Sequence, residues 1–461
     1  MSKIKILVNH SESFGVGFYR VLKPFTILAE TYPDDFDIEI SNDINFNDWN
    51  YLKNFNIIFS HRTIVNFEFM EVFCKECKKH GILTIIDLDD YFNVPDWHPL
   101  YEAIQNENVE AKIINNLKYV DYVTTTTPVF AKYISQYNKN VFVFENGIDD
   151  TESEFKFKPK EQSDFMRFLF LGGSSHKNDL ELLRDSFVIM HNDSQIKDKY
   201  QLHIAGFDLR GTTTNFDINR DFIRDLEKFG IKFTINHYKS LIENNSDLSK
   251  LKWLPPQLIE LYQSTEIVIK TTRPITPKES IWYEYEKIFT SDYKLIKDEN
   301  YINFLNQFKI DETYPNQLKE QLYIRHKTQG VYKFANNYRF ADVSLAPIFT
   351  KGSIFDDNAS NRYQFSKSNL KLIESGFHKM PVIASEVPTY TFDEEWVDDK
   401  NVIFVKPDRQ YKDWGKKMKK CIQNPNYVKD LGEASYELVK RKYDIKVINE
   451  KRKDFFKSIV K

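Results

Sequence analysis

The sequence predicts an α/β protein made of two similar halves, with a polar segment set into the second. Two observations carry this. The chain twice runs strand, glycine-bearing turn, helix: Lys3–Asn9 leads into Gly15-Val-Gly-Phe-Tyr-Arg20, and Phe168–Leu171 leads into Gly172-Gly-Ser-Ser-His-Lys177. The other strands are short, continuous apolar runs, as expected of parallel strands covered on both faces. Residues 208–330 leave that alternation, and Asp342-Val-Ser-Leu-Ala346 restores it.

In the first half, the helix after the Gly15/Gly17 turn spans about Val21–Glu30. Asn56–Ser60 is a strand with His61-Arg62 at its end. Leu83–Ile86 is another, ending in Asp87-Leu-Asp-Asp90 and a loop over Tyr91–Leu100 that holds Pro95, His98 and Pro99. Ligands of open α/β sheets bind beyond the carboxyl ends of strands, which makes these three aspartates candidate site residues. The alternative is that one caps a helix and the others are solvated. Tyr122–Thr127 and Val141–Phe144 complete this half, Glu145–Asp149 is a turn, and Thr151–Asp164 reads as a linker. Glycines at a strand-to-helix turn let the backbone approach a ligand closely. The third glycine of a dinucleotide fingerprint is missing, which argues against a nicotinamide site.

In the second half, a helix begins near Asp179 and Leu202–Ala205 is a strand. The inserted segment is Tyr-rich, with Pro255-Pro256, Arg273-Pro-Ile-Thr-Pro277 and helices near Gln257–Gln263 and Ser280–Phe289. Pro347–Asn361 reads as a loop. The next stretch, Ser366–Phe377, reads as one helix that Ser366 or Ser368 caps, with Leu370, Ile373 and Phe377 on its buried face. Lys367, Lys371 and Glu374 share a neighbouring face. Two lysines at i, i+4 repel one another, so an anion held between them and the helix N-terminus suits the pattern. A solvated amphipathic helix is the plain alternative. Pro381–Ser385 and Val402–Val405 are strands, and helices over Trp414–Gln423, Tyr427–Lys440 and Ile445–Val460 close the chain.

The 461 residues suffice for two or three cores, and 38 Phe with 26 Tyr mark a globular chain. A net charge of −3 gives no protein-wide field for nucleic acid or membrane. Residues 408–461 are basic, with 16 Lys/Arg against 8 Asp/Glu, which reads either as solvated helix faces or as a phosphate-bearing partner's surface. Three cysteines exclude a disulfide framework and fit a reducing cytoplasm. Cys74, Cys77 and His80 make only half a metal site and lie in a helix, so small buried residues are the better reading. No apolar run reaches a membrane span of about 20 residues, and the N-terminal apolar run is too short for a signal peptide.

The order of these motifs resembles the GT-B glycosyltransferases, in particular the large retaining family of sucrose- and glycogen-synthase-like enzymes. The carriers are the Gly15/Gly17 loop, Asn146-Gly-Ile-Asp149 at the junction, Gly172–Lys177, and Lys367-Ser-Asn-Leu-Lys-Leu-Ile-Glu374 before Pro381-Val-Ile-Ala-Ser385. Gly-Val-Gly-Phe-Tyr-Arg and Asp-Leu-Asp-Asp-Tyr also resemble glycosyltransferases common in bacteriophage genomes. The resemblance implies two Rossmann-like domains. Residues 1–157, joined by a last helix over about 445–461, would form the acceptor domain. Residues 158–444 would form the nucleotide-sugar domain, with 208–330 as a largely helical insertion.

The resemblance also implies a site. Lys177 and Lys367 would pair with the diphosphate, N–H groups near Ser368 and Asn369 would cap it, and Glu374 would bind a hydroxyl. Gly173, Ser174, His176 and Lys371 complete the donor side. Asp87, Asp89 and Asp90 are the catalytic candidates, and Gly15, Gly17, Arg20 and His98 line the acceptor cleft. Two departures stand out. The family's acidic pair is eight positions apart, but the earlier position here is Ser366. Many relatives carry a histidine where this chain has Asp87–Asp90. The reaction implied is hexosyl or pentosyl transfer from a nucleotide-sugar to a glycan, a lipid-linked glycan or a modified DNA base. It needs no cofactor and no metal, although Asp87 and Asp89 have metal-motif spacing. The location implied is cytoplasmic, free or peripheral at a membrane. A nucleotide-sugar epimerase and a non-catalytic sugar- or nucleic-acid-binding protein are the alternatives.

Overall fold

The computed structural model describes residues 3–10, 15–152, 155–160, 162–206, 212–234, 237–238, 240–241, 247–265, 267–274, 309–310, 322–326 and 333–460. The first half folds around a six-stranded, wholly parallel sheet of order β2-β1-β3-β4-β5-β6. Its strands are β1 (Ile4–Asn9), β2 (Phe36–Ser41), β3 (Ile57–His61), β4 (Leu83–Leu88), β5 (Tyr122–Thr125) and β6 (Val141–Val143). β3 is buried at every position, the mark of a central parallel strand with helices on both faces. β2 is the edge strand that the sequence pattern missed. Only Phe36 of Phe-Asp-Ile-Glu-Ile-Ser is fully buried, so no continuous apolar run betrays it.

Outside the insert, the second half is built on β7 (Met166–Leu171), β8 (Tyr200–Ala205), β13 (Val343–Ala346), β14 (Val382–Ser385) and β15 (Ile403–Val405). Two strands from the segment set apart by sequence, β11 (Lys309–Ile310) and β12 (Tyr323–His326), join the same parallel sheet. Its order is β11-β12-β8-β7-β13-β14-β15. The α/β pattern therefore resumes by Tyr323, earlier than the expected end of the insertion near 330. The two sheets are separate.

Residues 209–283 and 294–307 form a compact unit of their own. Its described part is not largely helical. Beside the helices Arg220–Lys228 and Pro256–Tyr262 it contains an antiparallel pair, β9 (Thr212–Ile218) and β10 (Val268–Pro274). Thr-Thr-Thr-Asn-Phe-Asp-Ile and Val-Ile-Lys-Thr-Thr-Arg-Pro are rich in β-branched residues, which favour a ribbon. Phe222, Leu226, Leu241, Leu251 and Leu258 supply this unit's core. The helix expected over Ser280–Phe289 lies outside the described residues.

The two parallel sheets are tied together at the junction and by the last helix. Ile148 pairs with Asp444 in a parallel bridge, and a Cβ on Gly147 would stand 2.9 Å from the Ile445 Cα. The helix Ile445–Ile459 then packs on the first half. Ile448, Phe455 and Phe456 join the core of Ile6, Val8 and Phe25, and Asn449 Nδ2 donates to the Pro24 carbonyl at 2.9 Å.

Much of the basic tail is consumed by folding. Lys419, Lys440, Lys442 and Lys451 pair with Asp193, Asp150, Asp393 and Glu145. Cys74 and Cys77 are buried on the helix Met70–Lys79, and His80 stacks on Trp49. No described helix is long and apolar enough to cross a membrane.

Candidate active site

The site lies at the carboxyl ends of both parallel sheets. On the first side, β4 delivers the three aspartates, and their environments separate them. Asp87 is buried, and its oxygens accept from Arg20 Nε at 3.0 Å and Nη2 at 2.7 Å and from Thr124 Oγ1 at 2.5 Å. Arg20 Nη1 donates onward to the Phe144 carbonyl and to Asn146 Oδ1. This pair is therefore internal scaffolding. Asp87 has no position from which to take a substrate proton, and Arg20 does not line the cleft as expected. A buried charge needs a partner, and these two satisfy each other.

Asp89 is also buried, with Oδ1 2.7 Å from His61 Nε2 and 3.4 Å from Arg62 Nη2. Burial alone would raise its pKa. The His61 hydrogen bond and the His61 and Arg62 charges outweigh that and hold it well below the usual carboxylate range. Asp90 is half-buried and, among the described residues, makes no hydrogen bond or ion pair. Burial and the Asp89 charge push its pKa up to about 6, against the pull of Lys367, Arg62 and His61. The pair titrates together. Arg62 has φ +63°, a left-handed conformation that a side chain adopts only when its surroundings impose it. Gly15 turns with φ +53° ahead of the helical turn Phe18–Leu22, and Gly17 is buried at its start.

On the second side, the helix expected over Ser366–Phe377 is two helices. Ala359–Phe365 comes first, its opening residues Ala359–Asn361 within the expected loop, and Leu370–Phe377 follows, with Asn369 at its N-cap. Ser366 instead ends the first helix, its N–H bonded to the Arg362 carbonyl, and Asn358 caps that helix's start. Lys367 thus sits in the turn between helices, not on one face with Lys371. The two ammonium groups converge nonetheless, and both act on His176.

Lys367 Nζ is buried without a hydrogen-bond partner, 3.8 Å from Asp179 Oδ2 and 5.0 Å above the Tyr363 ring. Lys371 lies over the Phe170 ring, and burial, with help from Lys367, brings its pKa down to about 8. Asn369 Nδ2 donates to the Tyr443 hydroxyl, while its Oδ1 has no partner. Ser368 is half-buried beside it.

Asp179, which sequence reasoning passed over, organises this side. It accepts from the Phe349 N–H at 2.7 Å and Gln364 Nε2 at 2.9 Å, and its Oδ2 lies 2.7 Å from His176 Nδ1. Burial would raise its pKa, yet Lys367 and His176 bring it down to about 2. The His176 pKa falls to about 3 through burial and the two lysine charges. Its signal in the sequence was only its place three residues after His176, in the first helical turn. Gly173 precedes the short 3-10 turn Ser174–His176, and the Ser174 side chain lies outside the described atoms. Lys177 is exposed and, among the described residues, pairs with none of these groups. At 100° per residue it points away when His176 and Asp179 face inward.

Glu374 is buried and held by two tyrosines, one from each half. Tyr19 donates to Oε1 at 2.8 Å and Tyr338 to Oε2 at 2.6 Å. Burial raises its pKa to about 7, although both tyrosines and Lys371 pull the other way. Tyr19 lies in the Gly15–Arg20 motif without a role of its own there, and Tyr338 had no local signal in the sequence. His98 packs edge-on to Tyr363 at 5.3 Å, and burial and the Lys367 charge depress its pKa. Two lysines at the start of a helix are an arrangement able to hold an anion. Glu374 and Asp90 are its flanking carboxyl groups.

Compared with protein-family profiles and with curated protein sequences, the chain matches none. Solved structures are similar along its whole length. HepE of Anabaena in complex with UDP-glucose has a TM-score of 0.51 at 11% identity, covering 99% of this chain and 100% of that one. Sucrose-phosphate synthase of Thermosynechococcus elongatus has 0.53 at 12%, covering 99% of each. A glycosyltransferase from Rickettsia africae has 0.50 at 12%, covering 100% of each. Two parallel α/β sheets, joined at Asn146–Asp149 and strapped by the last helix, give this chain the fold of the GT-B glycosyltransferases.

Proposed function

We propose that the protein transfers a sugar from a nucleotide-sugar to a hydroxyl acceptor. The observation that carries this is Lys367, whose buried ammonium makes no hydrogen bond and has Asp179 only at 3.8 Å, beside Lys371 at a helix start. A buried cation left this way costs free energy unless an anion completes it. A diphosphate fits, and the similar HepE structure contains UDP-glucose, so a uridine-diphosphate sugar is the first donor to test.

In transfer, the bond from the anomeric carbon to the diphosphate oxygen breaks, and the nucleoside diphosphate departs with the electron pair. The acceptor oxygen bonds to that carbon, and its proton passes to Asp90, the aspartate with open oxygens. Lys367, Lys371 and the first N–H groups of Leu370–Phe377 stabilise the charge that grows on the leaving group. A donor hydroxyl would reach Glu374 by displacing the Tyr19 or Tyr338 hydroxyl. Retention of the anomeric configuration is the outcome the resemblance implies. Protein cations carry the countercharge in this reading, so the reaction requires no metal.

Calorimetric titration with UDP and a panel of nucleotide-sugars, followed by mass spectrometry of products, tests the reading. Micromolar UDP binding and acceptor-dependent release of UDP that survives EDTA are expected. Interconversion of the donor sugar without an acceptor would favour an epimerase. Tight binding with no turnover would favour a binding protein.

A further inference from the structure

A cavity of about 830 Å³ opens at the carboxyl ends of β1 and β3 in the first half. Its wall is a slab of rings. Phe46 meets Phe73 edge-to-face at 5.5 Å, and Trp49 lies tilted against Phe73 at 5.6 Å. Phe69 and Val72 stand at the rim, 62% and 68% exposed. The helix Met70–Lys79 buries Met70, Phe73, Cys74 and Cys77, so its own packing does not call for an apolar Val72. The lining includes no lysine or arginine, and its one carboxylate, Glu76, is already paired with Lys79.

Uncharged polar groups of Asn9, Asn45, Asn47, Thr63 and Asn66 also line the cavity, as does His61, which hydrogen-bonds Asp89, the neighbour of Asp90. His61 thus links the cavity wall to the aspartates of the transfer site, and a molecule seated in the cavity would bring a hydroxyl to the His61 end.

We propose that this cavity holds an apolar, ring-bearing part of the acceptor, with the hydroxyl to be glycosylated directed to the His61–Asp89–Asp90 edge. The inference rests on the transferase reading and adds the acceptor's chemical class, a hydroxyl compound with an aromatic or cyclic apolar group. The volume is that of a site for a compact organic ligand. A nucleic-acid acceptor fits poorly, because its phosphates would meet no cation in the lining.

Binding of 4-nitrophenyl β-D-glucopyranoside, of D-glucose and of a single-stranded oligonucleotide is measured by calorimetry, with and without UDP. The aryl glucoside is expected to bind at least about ten-fold more tightly than glucose. Val72→Asp should remove most of that advantage and leave UDP binding unchanged. Phe69→Ala, a second rim change, should weaken the aryl glucoside in the same direction. Equal binding of aryl glucoside and glucose, or an aryl advantage untouched by both variants, overturns the proposal. So does oligonucleotide binding stronger than that of the aryl glucoside. A wild-type protein that fails to bind UDP but retains the Val72-dependent aryl advantage refutes the donor reading alone.

Discussion

Replacing Lys367 with methionine removes one ammonium and keeps most of the side-chain volume. In the free protein that ammonium has no hydrogen bond, and its side chain is 13% exposed. A diphosphate oxygen would supply a charge-assisted bond worth about 1.5–3 kcal/mol. UDP affinity should therefore fall about ten- to a hundred-fold or slightly more. Some stability should fall with it, because Lys367 lies 3.8 Å from the buried Asp179 and helps hold that carboxyl charged, although Asp179 keeps the Phe349, Gln364 and His176 contacts; a Tm measurement reports this loss separately from UDP binding.

Lys371 adds a pH signature. With its pKa near 8, the wild type should lose UDP affinity as pH rises through that value and the second cation discharges. Lys367 is one cause of the depression, so in Lys367→Met this loss should move to higher pH. Calorimetry with UDP from about pH 7 to 9 reads both effects, since the phosphate's second ionisation, near pH 6, is largely complete there. A folded Lys367→Met protein that binds UDP within two-fold of wild type would refute the argument and place the donor phosphates elsewhere.

Two further outcomes follow from the carboxyl groups. The Glu374 pKa is raised from its ordinary value of 4.5 to about 7, so the folded state keeps a proton that the unfolded state has lost. Stability from this group is complete below about 4.5 and declines as pH rises towards 7. Glu374→Gln should flatten that part of the Tm–pH profile, and an unchanged slope would mean that Glu374 is not the group responsible. Asp87→Asn should lower Tm sharply, because breaking one partner of a buried pair costs about 3–5 kcal/mol. Asp90→Asn should leave Tm and UDP binding near wild type and reduce turnover at least ten-fold, as kinetics on the purified variants would record.

Local pattern was enough to set out most of the fold. Apolar runs and two strand–glycine–helix openings are written within short windows, and they located ten strands near their true places. They also brought Lys367, Lys371 and Glu374 to one site, although the expected single helix is two. The edge strand β2 escaped because it is half-polar, and β11 and β12 because they are short and lie within a segment whose pattern differs.

The roles of the three aspartates were beyond such windows. Asp87, Asp89 and Asp90 are chemically alike and adjacent. What separates them is Arg20, 67 residues from Asp87, and His61, 28 residues from Asp89. Tyr19 reaches Glu374 across 355 positions, and Gln364 reaches Asp179 across 185. The sequence by itself determined most of the secondary elements, the two halves and the charge carried by each segment, because those depend on neighbours along the chain. Only the tertiary structure decided which aspartate is scaffold and which is open, which lysine ammonium is left without a hydrogen bond, and which rings line one cavity. Desolvation and pairing of a charge depend on what folding brings beside it.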